Sequence, residues 1–141
     1  MRLAVLCLPL LLLLAACAQQ APRDDGLYRA LGEEPGIVRI VEGMLLGSAR
    51  DPRIARHFLD IDIERLREKL IEQLCFESGG PCLYTGDSME ESHKGLRLTP
   101  SDFNALVEHL QDAMEAEGVP TPAQNRLLAR LAPMRGQVID R

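Results

Sequence analysis

The chain has 141 residues, 46% of them hydrophobic, with three histidines, four cysteines, no tryptophan and a formal net charge of −5. A length of this order holds one domain. The acidic balance excludes a nucleic-acid partner on electrostatic grounds, and with 4% aromatic residues the core has to be built from Leu, Ile, Val and Met.

The first segment, MRLAVLCLPLLLLLAACAQQ, carries Arg2 and then an apolar run from Leu3 to Ala18. That run is shorter than the roughly 20 residues a helix needs to cross a bilayer, and it ends in small residues, as a secretory signal does. Leu14-Ala15-Ala16-Cys17 resembles the cleavage box of bacterial lipoproteins, in which the cysteine is lipidated and becomes the new N-terminus. An ordinary signal peptide cut nearby without lipid is the alternative. Ala18 after the cysteine, rather than Asp, is similar to the outer-membrane sorting default of that class in a Gram-negative host. Multiple acyl chains would hold the protein to a leaflet of the cell envelope, facing the periplasm. The expected division is a signal peptide over residues 1–16, a lipidated N-terminus and linker over 17–26, and one folded domain over 27–141. From Cys17 the mature chain has 125 residues, with 15 Lys and Arg against 21 Asp and Glu, a net charge of −6.

The mature chain has helical periodicity and no strand alternation, so its fold class is all-α. GLYRALGEEPG predicts one short helical turn and a break. Ile37, Ile40, Val41, Met44, Leu45 and Ser48 repeat at three and four residues, an amphipathic helix that stops before Asp51-Pro52. PRIARHF is a brief connector ending in Phe58. Asp62 caps the next helix, whose stripe is Ile63, Leu66, Leu70 and Leu74, and Gly79-Gly80-Pro81 ends it. Asp87-Ser88-Met89-Glu90 fits a capping box for a short helix that carries His93. Thr99-Pro100-Ser101-Asp102 is another such box, with Pro in the first helical position. The helix it opens is expected to bury Phe103, Leu106, Val107, Leu110 and Met114 and to end at Gly118. Thr121-Pro122-Ala123-Gln124 caps the last helix, with Leu127, Leu128 and Leu131 inside, a kink at Pro133, and Val138 near its end.

Cys7 leaves with the signal and Cys17 carries the lipid, so Cys75 and Cys82 remain as an even pair in an oxidising compartment. Gly79-Gly80-Pro81 between them can fold the chain back, which favours a disulfide. A redox motif is the rival reading, although the spacing is not C-x-x-C, and two thiols without further ligands make a poor metal site. His93 is open at this level too. A lone histidine on an apolar stripe is ordinarily a core residue with its nitrogens hydrogen-bonded, and a ligand less often.

The segments LYRALG, DPRIARHF, GGPCLYTG, MEESHKGLRLTPSDFNALVEHL, GVP and LAPMRGQVI run in this order from Leu27 to Ile139. Together they resemble the group I truncated hemoglobins, small globins with a two-over-two helical sandwich around haem. The resemblance implies haem b, with His93 as the proximal iron ligand and its second ring nitrogen given to a backbone carbonyl. It places Met89 against the porphyrin, with Leu98, Phe103 and Leu106 lining the same side, and it matches Phe58 to the phenylalanine that stacks on the other face. Arg65 and Lys69 match basic positions that approach the haem propionates, and Tyr84 matches a residue near the same edge. A solvated charged face and a loop anchor are the plainer readings of those three. His57 is expected at the surface and His109 in a structural role.

The chain departs from the family pattern on the distal side. Where well-studied members carry a tyrosine and a glutamine that hydrogen-bond oxygen, the matching residues are Leu45 and Leu70, and Leu66 is apolar as well. Gln73 is the one nearby polar side chain that could lean in or face solvent. The function implied is reversible binding of a diatomic gas, oxygen, NO or CO, at histidine-ligated iron in an apolar pocket. An NO-consuming or peroxidase-like activity would need electrons from an unidentified reductase. The alternative from another class is a haem-free helical envelope lipoprotein acting as a structural or interaction module.

Overall fold

Leu31 and Gly32 break the chain between two helices, α1 (Gly26–Ala30) and α2 (Glu33–Arg50). Gly32 takes φ +83°, a left-handed conformation that costs glycine little, and the chain turns there so that α2 begins at once. The computed structural model describes residues 24–141, so the expectations for the signal, for Cys17 and for the linker up to residue 23 lie outside the described residues. After α2 come a 3-10 turn over Ala55–Phe58, then α3 (Ile63–Glu77), α4 (Met89–His93), α5 (Pro100–Ala116) and α6 (Thr121–Leu131). A second 3-10 turn over Ala132–Met134, at Pro133, leads into α7 (Arg135–Val138). Among the described residues no strand forms. An isolated parallel bridge joins Leu98 to Ile139, with the Asp140 amide donating to the Leu98 carbonyl at 2.9 Å.

Helix α2 is the centre of the fold, packed on both α5 and α3, while α3 meets α6, α1 lies on α2 and α6, and α4 lies on α7. This is a two-over-two arrangement. The inner face of α2 is the stripe read from sequence: Ile37, Ile40, Val41, Met44, Leu45 and Ser48 are all buried. Ser48 is accommodated because its hydroxyl donates to the Met44 carbonyl at 2.8 Å, which satisfies a polar group that would otherwise be costly inside. Leu27, Leu31, Leu110, Met114 and Leu127 complete the core. Each such side chain contributes roughly 1.5–3 kcal/mol by leaving water.

Several local expectations need correction. The cap of α4 is Ser88, whose hydroxyl accepts from the Glu91 amide, so the capping unit is shifted by one residue from Asp87–Glu90. Thr121 is the first residue of α6 and not its cap; Pro120 holds that position without a side-chain bond, and the buried Gln124 donates to the Val119 carbonyl at 2.9 Å instead. Ile63 begins the α3 stripe exposed, and Phe103, Leu106 and Val107 are half-buried, because the face of α5 most fully covered by α2 is Ala105, Leu110, Ala113 and Met114. The box at α5 forms as expected, with Thr99 and Asp102 each accepting from the other's amide. The Cα atoms of Cys75 and Cys82 stand 5.9 Å apart with their sulfurs in bonding contact.

Candidate functional site

His93 ends α4, and its Nδ1 lies 2.7 Å from the Met89 carbonyl one turn back. A carbonyl can only accept, so Nδ1 carries the hydrogen and donates. In the neutral ring Nε2 then keeps its lone pair, and among the described residues no hydrogen bond reaches it. That tautomer is the one a metal-binding imidazole needs, and the carbonyl fixes the ring's direction as well. The surroundings keep α4 in place: Ser88 Oγ accepts from the Glu91 amide at 3.2 Å, and α4 packs against α7. Among the described residues there is no group of three or more His, Cys, Asp or Glu that could hold a bare metal ion. A single imidazole ligand fits a metal that brings its own equatorial ligands, as haem iron does.

The apolar side of the site is built by α2, α3, α5 and the turn before α3. Leu45 is buried on α2, and Phe58, Leu66, Leu70 and Leu106 are half-buried against the same core. No polar side chain comes from Leu45, Leu66 or Leu70, so this wall offers no hydrogen bond. Gln73, one turn further along α3, faces inward. Its amide nitrogen lies 3.3 Å from the Met89 sulfur and 3.5 Å from the Met134 sulfur. Thioethers are weak acceptors, so the amide is held loosely. Sequence reasoning missed Met134; its place in the apolar end of LAPMRGQVI was the available signal.

The remaining candidates sit around this centre. Phe103 lies under the Arg135 guanidinium, 5.6 Å from ring centre to carbon, and Leu98 is half-buried and pinned by its bridge to Ile139. Lys69 is held within the chain by Glu68 at 3.0 Å, Glu72 at 2.9 Å and Thr85 Oγ1 at 2.8 Å. Its carboxylate partners, Glu72 first, raise its pKa. Lys69, with the Thr85 amide and hydroxyl, lowers the Glu72 carboxyl to about 2. Any propionate approaching Lys69 would therefore compete with Glu72, a residue that sequence reasoning did not single out. Arg65 is exposed on the outer start of α3, in an open charged groove with Asp62, Glu64, Arg67 and Glu68. Tyr84 is half-buried and donates its hydroxyl to the Asp87 carbonyl at 2.7 Å, which fixes the loop before α4.

The two other histidines divide. His109 is structural as expected: its Nε2 stands 2.8 Å from Asp51 Oδ2 and ties α5 to the end of α2, while Arg53, through two kinds of hydrogen bond, holds Asp51 well below the usual carboxylate range. His57 is not a surface residue. Its side chain is 21% exposed, and its buried Nε2 lies 3.5 Å from Asp102 Oδ2, beyond a good hydrogen bond. The reason is the tight 3-10 turn, which lays His57 against the start of α5 where Asp102 already serves Thr99 and Arg56.

Residues 26–140 match the family described as bacterial-like globin. The chain is 30% identical over 115 residues to the group 1 truncated hemoglobin of a Nostoc strain, covering 82% of this chain and 98% of that protein. It is 29% identical over 112 residues to the group 1 truncated hemoglobin of Mycolicibacterium paratuberculosis, covering 79% of this chain and 82% of the other. Among solved structures, truncated hemoglobin from Tetrahymena pyriformis in its Fe(III) form superposes with a TM-score of 0.79 at 25% identity, over 82% of this chain and 98% of that one.

Proposed function

The chain belongs to the bacterial-like globin family, and from that membership we propose that it is a group 1 truncated globin in which His93 holds haem and a diatomic gas binds on the side of Leu45, Leu66 and Leu70. The observation that carries the assignment of His93 is its Nδ1 contact with the Met89 carbonyl, which leaves Nε2 of the neutral ring as the nitrogen able to bind a metal. Haem, when bound, supplies an iron centre able to take oxygen, NO or CO reversibly. The chain's residues do the rest. His93 provides the ligand and its fixed tautomer, Phe58 and Leu106 offer apolar contact, and the leucines of α2 and α3 keep water from the gas side. Met89 and Gln73 close the inner end, while Lys69 and Tyr84 lie on the edge where acidic ring substituents would emerge.

The form of haem in this reading is haem b, since no cysteine pair stands in a haem-attachment spacing. The same reading takes Cys17 as lipidated, on the strength of the Leu14-Ala15-Ala16-Cys17 box, and the globin as tethered in the envelope facing the periplasm. It takes Cys75 and Cys82 as a disulfide, which that compartment favours. An NO-consuming role would draw electrons from a separate reductase. An absorption spectrum of the purified protein, oxidised, reduced and reduced with CO, tests the central claim. Soret bands that shift with oxidation state and CO are expected; a colourless protein that takes up no added haem would return the chain to the haem-free envelope module.

A further inference from the structure

The loop between Cys75 and Cys82 lies where the chain enters the domain. The Tyr28 amide donates to the Ser78 carbonyl at 3.1 Å, the Tyr28 ring lies against Gly80, and a Cβ at Gly79 would overlap the Asp24 carbonyl. Gly79 and Gly80 thus let this loop press directly on residues 24–28. Its outer surface is apolar: Phe76 is 44% exposed, Leu83 is 72% exposed, and Pro81 is exposed between them. Phe76 and Leu83 each follow one of the paired cysteines, whose Cα atoms are 5.9 Å apart. At 3.8 Å per residue their own Cα atoms are no more than about 14 Å apart, so the two exposed side chains stand at the same end of the domain.

Two ion pairs and an arginine bonded to backbone lie beside the patch. Arg126 meets Asp24 at 3.3 Å, Arg29 meets Asp25 at 2.7 Å, and Arg130 donates to the Glu77 carbonyl. The face therefore presents apolar side chains beside two ion pairs and the Arg130 guanidinium, which suits a lipid headgroup layer better than a strongly charged partner. Only residues 18–23 separate Cys17 from Asp24, so seven Cα-to-Cα steps join the two. Seven steps span at most about 25 Å, so Asp24 stays within that distance of any leaflet that holds Cys17 by its acyl chains. A tether of that length raises the local concentration of the surface to a range in which weak contacts become populated.

We propose that the Phe76–Leu83 loop docks on the lipid leaflet that anchors Cys17, so that the globin lies on the membrane by this end rather than floating on its tether. The inference rests on the lipidation reading above. Because the chain has no tryptophan, a single one reports its own position. Leu83→Trp is the probe. Leu59→Trp is the control, since Leu59 is 75% exposed and precedes α3, whose 15 residues span about 22 Å to the loop. The full lipidated, haem-loaded protein is reconstituted in phosphatidylethanolamine and phosphatidylglycerol vesicles, with and without brominated acyl chains. The ratio of the two emissions cancels quenching by haem. At least a twofold loss of Leu83→Trp emission on brominated vesicles, with Leu59→Trp unchanged, is expected. Equal emission for Leu83→Trp in protein that floats with the vesicles overturns the docking and leaves the anchor standing. A blue-shifted Leu83→Trp emission without bromine quenching also overturns it, because protein rather than lipid then covers the loop. Protein that does not float with vesicles removes the anchor and the docking together.

Discussion

Oxygen should leave this protein quickly, and the distal wall gives the reason. Leu45 is 8% exposed on α2, and Leu66 and Leu70 pack against the same core from α3, so three side chains that could have offered a donor offer none. Gln73 carries a donor, but its amide is turned to the Met89 and Met134 sulfurs, 3.3 and 3.5 Å away. Oxygen on ferrous iron draws negative charge, and a donor to it in a dry pocket is worth roughly 1–3 kcal/mol. At about 1.4 kcal/mol per tenfold in rate, its absence raises the off-rate by about tenfold to a hundredfold. Carbon monoxide is less polarised and gains little from the same donor. Stopped-flow displacement of oxygen by CO, and of CO by NO, reads the two off-rates in the unaltered protein and in Leu45→Tyr/Leu70→Gln. The double variant should slow oxygen release by about tenfold to a hundredfold while moving CO release little. Tyrosine has to fit where a buried leucine stood, so an unchanged Soret spectrum is the check against overpacking. Slow oxygen release from the unaltered protein, made faster by Gln73→Leu, would refute the reasoning, because the Gln73 amide would then leave the thioethers and serve the gas.

Four further outcomes follow from the same geometry. His93→Ala should lose stable haem, or retain it only with added imidazole, while His109→Ala keeps the spectrum; normal haem content in the His93 variant by pyridine hemochromogen assay would overturn the ligand assignment. Thr99→Ala removes half of the α5 capping box and should cost about 1 kcal/mol in urea unfolding. Asp102, lowered to about 2 chiefly by the Thr99 amide, stabilises the fold above its unfolded pKa, so that stability should drain away as pH falls from about 4 toward about 2, and Asp102→Asn should flatten that limb. Non-reduced, alkylated periplasmic protein should show no alkylation at Cys75 or Cys82 by intact mass, and Cys75→Ala/Cys82→Ala should lose about 2–3 kcal/mol for a separation of 7 residues; two alkylated thiols would exclude the bridge.

The helices themselves were legible in the sequence because their signals are local. The α2 stripe from Ile37 to Ser48, the Thr99 to Asp102 box with Pro100 in the first turn, the kink at Pro133 and the break at Gly32 each depend on residues within a turn or two. Periodicity pointed to the all-α class, and the family pattern singled out His93 and the two-over-two sandwich. What needed the folded chain was every property that depends on what comes across from another element. The short helix holding His93 is capped by Ser88 rather than Asp87, since the choice turned on one hydroxyl reaching the Glu91 amide. His57 looked like a surface residue until α5 packed against its turn and put Asp102 beside its Nε2. Lys69 looked free on a charged face until Thr85, sixteen residues later, returned to share Glu72 with it. The periodicity of α3 could not say whether Gln73 points in or out, because a residue at the border of a helical stripe is turned by its partners. Met89 on α4 and Met134 beyond α6 turned it inward. Sequence decides which residues a helix can present, and tertiary packing decides what each of them meets.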